Sequence, residues 1–493
     1  MNCDVVVVGA GFGGSLTALL LKQIGLKPIL IERGSHPRFA IGESSTPLAD
    51  LILGDLARRY DLPQLEPLTT FGAWQQNHPE LAVGLKRGFS YFQHTPNQPF
   101  QAFDDHRNEL LVAASSSDEQ ADTHWYRADV DRFFVEQAQA AGVPYSDRTE
   151  ITAAESQPNW ALRLLREGKS SSLQARFLID ATGPSGFLTK LLGIPVDASA
   201  FQTNSRTLYG HFENVVPFEK LLRDNDARID EHPFPCDDAA LHHILEDGWM
   251  WQLRFGNGIT SAGFVLDNRQ DDDVSPSLSP EEEWNQRLRR YPSIAQQFAN
   301  ARLVAPAGGI VRTGRLQRLA QHRTGENWAM LPYAAGFIDP LHSTGIAHTL
   351  SAIERLPPLL EQHWNRTTFS GALQQYGRSL HQELHLVDRL VTGCYRTLPS
   401  FPHLAAFTML YFAAATTTER RRLANETDDP PAFLCADDPT FTRIVDTMLD
   451  ELEKSTSAEN FERTLAAAIS DYNTAGLCDP SVRNMYRYTA LPG

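Results

Sequence analysis

Val5-Val6-Val7-Val8-Gly9-Ala10-Gly11-Phe12-Gly13-Gly14 opens the chain. Four β-branched residues run into G-x-G-x-x-G, and the helical stretch Ser15–Ile24 follows. A second apolar run, Ile29-Leu30-Ile31, is closed by Glu32. Strand, glycine turn, helix, strand and terminal acid in this order form the fingerprint of an adenine-dinucleotide site. Gly9 permits the tight turn, Gly11 lets backbone approach a pyrophosphate, and Gly14 lets helix and strand pack closely. The helix start at Phe12 and Gly13 then offers unpaired N–H groups and the positive dipole end to phosphate. Glu32, followed by Arg33, is placed to take hydrogen bonds from a ribose.

Composition sets the frame. The 493 residues carry a net charge of −16, which disfavours nucleic acid and anionic membranes as partners. An anionic substrate would need local positive groups. No apolar run reaches the roughly 18 residues that span a bilayer, and strand-forming residues begin almost at once, so neither membrane anchor nor secretory leader is expected. The five cysteines are scattered and never in a C-x-x-C pair, consistent with a reducing cytoplasm and with no structural zinc or disulfide framework. The neighbours His242 and His243 would point to opposite faces of a strand, so no metal ligand set is read here.

Two later segments bear on which dinucleotide is bound. Phe177-Leu178-Ile179-Asp180-Ala181-Thr182-Gly183 is an apolar strand ending in D-A-T-G. Met330-Leu331-Pro332-Tyr333-Ala334-Ala335-Gly336-Phe337-Ile338-Asp339-Pro340 follows downstream. Both resemble segments of flavoproteins of the p-hydroxybenzoate-hydroxylase type. The resemblance implies FAD, with Asp180 and Gly183 at the cofactor and Asp339 reaching the flavin's sugar chain. The expected fold is α/β with α+β insertions. FAD-module parts at 1–81, 126–196 and 305–375 are separated by substrate-sheet parts at 82–125 and 197–304, and a helical C-terminal region occupies 376–493. Periodicity predicts helices at Asp129–Ala141, Pro280–Ala299 and about Gly345 to Leu359, strands at Trp249–Phe255 and Ser261–Leu266, and a polar break at Ala424–Pro431.

Four further stretches resemble flavin-dependent halogenases. Gly42-Glu43-Ser44-Ser45-Thr46-Pro47 is similar to the loop after their first βαβ unit, placing Ser44 and Ser45 near the cofactor. Gly84-Leu85-Lys86-Arg87-Gly88-Phe89-Ser90 resembles the stretch bearing the essential lysine of the phenol- and pyrrole-modifying branch. Trp249-Met250-Trp251-Gln252-Leu253-Arg254 resembles their W-x-W-x-I-P strand, with Leu and Arg in place of Ile and Pro. Gly336–Ile346 resembles the halide and flavin loop. His342 stands where tryptophan halogenases carry a glutamate, which argues against the indole-directed branch.

The resemblance implies an FADH2- and O2-dependent halogenase acting on an electron-rich small aromatic, free or carrier-bound, with a separate NAD(P)H-dependent flavin reductase. In such enzymes a flavin hydroperoxide oxidises chloride or bromide, and a lysine relays the resulting hypohalous acid. Lys86 would be that lysine and His342 a proton acceptor for the aromatic. The Thr344 and Gly345 amides at a helix start would hold halide, with Gly345 and Ile346 also against the flavin. Arg127 reads either as a flavin contact or as a first-turn charge. Trp249 and Trp251 share one strand face, as substrate-tunnel wall or as core. Erosion of the Ile-Pro pair leaves an FAD-dependent aromatic hydroxylase as the alternative, and a non-catalytic flavin binder as a third reading.

Overall fold

The computed structural model describes residues 2–156, 158–270, 278–424, 430–454, 457–487 and 489. Its organising element is a sheet whose central strands are parallel. Asn2–Val8 lies between Pro28–Ile31 and Lys169–Asp180, and Trp328–Met330 adds on the far side of Asp180. Strands buried on both faces must be apolar throughout, which is why the first strand reads as four consecutive valines. The register sets Val8 beside both Ile31 and Asp180, and Asp180 beside Met330. The three segments read from the sequence thus end side by side at the carboxyl edge, where α/β sheets bind ligands. The helices Phe12–Gln23 and Arg127–Ala140 pack together, and Thr344–His363 packs on the first of them.

A second, nine-stranded and mostly antiparallel sheet contains Gly88–Gln93, Ala240–Leu245, Gly248–Arg254 and Ile259–Asp267. Val83–Lys86 does not join it but pairs with Asp122–Trp125 as a separate ribbon. Lys86 therefore sits at the junction of ribbon and sheet. The long helices Phe369–Thr397 and Phe401–Leu423 close over this sheet, with Tyr411 and Phe412 edge-on to Phe89.

Several expected elements differ. The helix expected at Pro280–Ala299 is two helices, Pro280–Arg290 and Pro292–Gln297, because Pro292 starts the second. The helix expected to end near Leu359 continues to His363 through Pro357 and Pro358. The C-terminal region is not wholly helical: Met485–Tyr486 adds a parallel strand beside Glu109–Ala113. Most of the break at Ala424–Pro431 lies outside the described residues. Among the described residues no helix is long and apolar enough to cross a membrane.

Candidate functional site

A cavity of about 460 Å³ starts at Gly11–Gly14, passes Arg38–Ser44 and Ala181–Ser185, and ends at Trp249, Trp251, Leu253 and the start of the Thr344–His363 helix. Its floor requires glycine. Gly9 has φ +99°, and a Cβ on Gly14 would lie 1.9 Å from the Gly9 carbonyl oxygen. At Gly11 a Cβ would meet nothing closer than the Arg127 guanidinium at 3.5 Å, so backbone there faces the cavity.

Charge gathers at this end. Arg127 lines the cavity, donates to Asp131 at 2.8 Å and to the carbonyls of Ile41 and Gly42, and lies 4.8 Å from the Phe12 ring centroid. The Phe12 amide already donates to Asp131 at 3.1 Å. Phosphate oxygens would fall to the next amides of the helix and to the two arginines, Arg38 and Arg127. Sequence reading missed Arg38 and Asp131, whose spacing from the glycine turn follows no local period.

The remaining expected contacts divide. Ser44, Gly183, Gly345 and Ile346 line the cavity. The Ser44 hydroxyl is buried with no partner in the protein, as a ligand-facing donor would be. Glu32 is tied to the Ala10 and Gly34 amides at 3.0 and 2.8 Å and stands off the cavity wall, while Arg33 is exposed. Ser45 faces Asp50 and Thr123 instead. Asp180 does not reach the cavity; its carboxylate holds the Thr182 amide and hydroxyl and caps the next helix through the Leu188 amide at 2.7 Å. Nor does Asp339: it accepts from Ser205 at 2.6 Å, Tyr395 at 2.9 Å and the Leu341 amide, and is sealed from solvent. A buried carboxylate must be satisfied where it stands, and these partners fix Asp339 on the far side of its loop. Tyr333 lines the wall from this segment, and a Cβ on Gly345 would lie 2.1 Å from its hydroxyl.

Trp249 and Trp251 both line the cavity, 6.2 Å apart, and each indole N–H is used, donating to Tyr395 and Ser261 respectively. Leu253 joins them, whereas Arg254 turns away to Asp237 at 2.7 Å, so the substituted Arg never faces the site. Ser343, in the left-handed region at φ 55°, precedes the Thr344–His363 helix and no side chain caps it. That helix start therefore meets the cavity through Ser343, Gly345 and Ile346, while Thr344 borders a smaller void with Asp339.

Lys86 and His342 lie behind the wall. Lys86 has no exposed surface; its ammonium donates to the Ser45 carbonyl at 2.7 Å, stands 3.6 Å from Asp122 and lies 4.1 Å from the Phe89 ring centroid. Burial lowers its pKa, while Asp122 and Asp50 pull it back up. Burial likewise raises Glu419 to about 8, with Asp122 adding to the rise, and Asp122 to about 6. Asp50, Asp122 and Glu419 come from three distant segments, and sequence reading missed all three. The one signal is an acid that follows a long apolar stretch in the Phe401–Leu423 helix, at Glu419. His342 stacks on Tyr411 at 4.5 Å, with the Tyr91 hydroxyl 3.4 Å from Nδ1 and Cys394 Sγ 3.5 Å from Nε2. Burial drops its pKa to about 3, which keeps it neutral and makes it a weak base. The void between Trp249, Tyr91 and Cys394 measures about 10 Å³, room for one water.

The model of the tryptophan halogenase family matches residues 116–399, more than half of the chain. The chain belongs to this family. It is 29% identical over 476 residues to the monodechloroaminopyrrolnitrin halogenase PrnC of Pseudomonas fluorescens, covering 91% of this chain and 81% of that one. It is also 29% identical over 412 residues to the tetracycline 7-halogenase of Kitasatospora aureofaciens, covering 81% and 71%. The solved structure of halogenase PltM with phloroglucinol and FAD has the same fold, with TM-score 0.86 at 23% identity over 99% of this chain and all of that one. This chain is a flavin-dependent halogenase, an FAD-using oxidoreductase with halide as co-substrate. The cavity suits FAD: a glycine floor at a helix start, two arginines for phosphate, an unpartnered Ser44 hydroxyl and a tryptophan-lined end.

Proposed function

We propose that this halogenase installs chloride or bromide on an electron-rich aromatic of phenol or pyrrole type, with Lys86 relaying the oxidised halogen. The observation that carries the reading is the Lys86 ammonium, fully buried, of lowered pKa, and bonded to the backbone beside wall residue Ser44. FAD, delivered reduced by a separate flavin reductase, would supply with O2 the oxidising power that makes halide electrophilic. Arg38, Arg127 and the first helix hold its phosphates. Gly345, Ile346 and the tryptophans flank its reactive end, where the uncapped helix start gives halide its donors. Lys86 then holds the oxidised halogen through its N–H or free amine, and its burial keeps that species from water. His342, neutral, takes a hydrogen bond from an aromatic hydroxyl or N–H.

A relative in Pseudomonas fluorescens, 23% identical, is a 1H-pyrrole-2-carbonyl-[peptidyl-carrier protein] chlorinase. Carrier-bound pyrroles therefore belong in the substrate panel beside free phenols. The test is a reconstituted reaction with flavin reductase, NADH, O2 and bromide. The expected products are ring-brominated and shift to chlorinated when chloride replaces bromide. Hydroxylated product without halogen would overturn the reading.

A further inference from the structure

Outside the residues that line the cavity, the start of the Glu109–Ala113 strand carries a cluster that the halogenase chemistry does not use. His106 Nδ1 lies 2.6 Å from Glu109 Oε1, and Glu109 Oε2 lies 3.5 Å from His232 Nε2. One donor atom from each of the three residues falls within 4.8 Å of the others. All three side chains are closed off, with 0, 1 and 3% exposure. Yet Glu109 Oε2 and both nitrogens of His232 have no hydrogen-bond partner. Buried polar atoms are rarely left unmatched without a cause such as an ion.

We propose that His106, Glu109 and His232 form a zinc-binding site. Three protein donors converge, one imidazole nitrogen from each histidine and one oxygen of Glu109, and a water would complete the tetrahedron. Zinc bonds of roughly 2.0–2.2 Å place tetrahedral donors about 3.3 Å apart, and the spacings present, 2.6 and 3.5 Å with none above 4.8 Å, bracket that value. Imidazole and carboxylate together suit Zn²⁺ better than a hard cation such as Ca²⁺ or Mg²⁺.

The surroundings supply the second layer that metal-bound histidines use. His106 Nε2 faces Glu231 Oε2 at 3.3 Å, and Glu231 is itself paired with Arg228 and Arg483. A carboxylate on the far nitrogen fixes the tautomer that leaves Nδ1 free to ligate. The site also joins distant segments. Asn484 donates to the His106 carbonyl at 3.2 Å and accepts from the Leu111 amide at 2.9 Å, which seats Met485–Tyr486 on the sheet. The cluster pins the C-terminal tail, and none of its residues lines the flavin cavity.

The test uses the full-length protein, stripped with EDTA and then titrated with Zn²⁺ alone. One equivalent should survive gel filtration by elemental analysis, and the thermal midpoint should rise with added zinc. Co²⁺ in its place should give visible ligand-field absorption. Glu231→Gln should weaken zinc about 10- to 100-fold, and His232→Asn should abolish retention while the bound-FAD spectrum stays unchanged. Wild-type protein that retains no zinc and shows no thermal shift would overturn the site, as would His232→Asn binding zinc like wild type. Should His232→Asn fail to fold, the wild-type stoichiometry and cobalt spectrum decide by themselves.

Discussion

Lys86 keeps an ammonium in a water-free position because Asp122, Asp50 and Glu419 stand around it. A relay needs a lysine that can shed its proton, and the same acids can receive or return one. Lys86→Ala should lower halogenation about 10²–10³-fold, the scale of losing one positioned donor, while bound FAD and peroxide release persist. A variant retaining a tenth of the wild-type halogenating rate would take Lys86 out of the mechanism. Truncation also leaves Asp122 without its cation, so a lower thermal midpoint should accompany the lost activity. His342 is a different case. With its pKa near 3 it does not titrate in the working range, so the role we propose for it is to orient the aromatic and accept a hydrogen bond. His342→Gln should slow aromatic turnover by less than about tenfold and leave the pH profile between 6 and 9 parallel to wild type. Loss of a true general base would instead cost about 10²–10⁴-fold, and a drop of that size with an altered profile would restore His342 to that role.

The Phe401–Leu423 helix carries Glu419 in its buried last turns, among threonines and away from solvent. Unfolded, this carboxyl would release its proton near 4.5; folded, near 8. Between those values the folded state binds the extra proton, so stability falls as pH rises through that window. Glu419→Gln should flatten the fall in thermal midpoint between pH 5 and 8.5, and an unchanged slope would show that another group sets it. The same helix shows where sequence reading stops. Gly9 and Gly14 were legible because backbone conformation and close approach force glycine locally. The tryptophan pair was legible because a strand alternates faces. The acids around Lys86 were not, since residues 50, 122 and 419 meet only through tertiary packing. The setting of Asp339 was hidden for the same reason: its motif position is local, but its partners Ser205 and Tyr395 arrive from elsewhere.

At the scale of the whole chain, electron supply follows from how the sheets divide the work. The sequence holds one G-x-G-x-x-G turn, and the parallel sheet commits it to a single cavity shared with the tryptophan-bearing sheet. Arg38 and Arg127 both line that cavity, and a net charge of −16 offers no general attraction for a second anionic nucleotide. We therefore expect protein loaded with FAD to remain oxidised for many turnover times when mixed anaerobically with NADH or NADPH, with or without a phenol. Adding a separate flavin reductase should bleach the flavin, and admitting oxygen and bromide should then yield brominated phenol. Rapid bleaching by NADPH alone, quickened by the aromatic, would mean that the chain takes electrons as a single-component hydroxylase does.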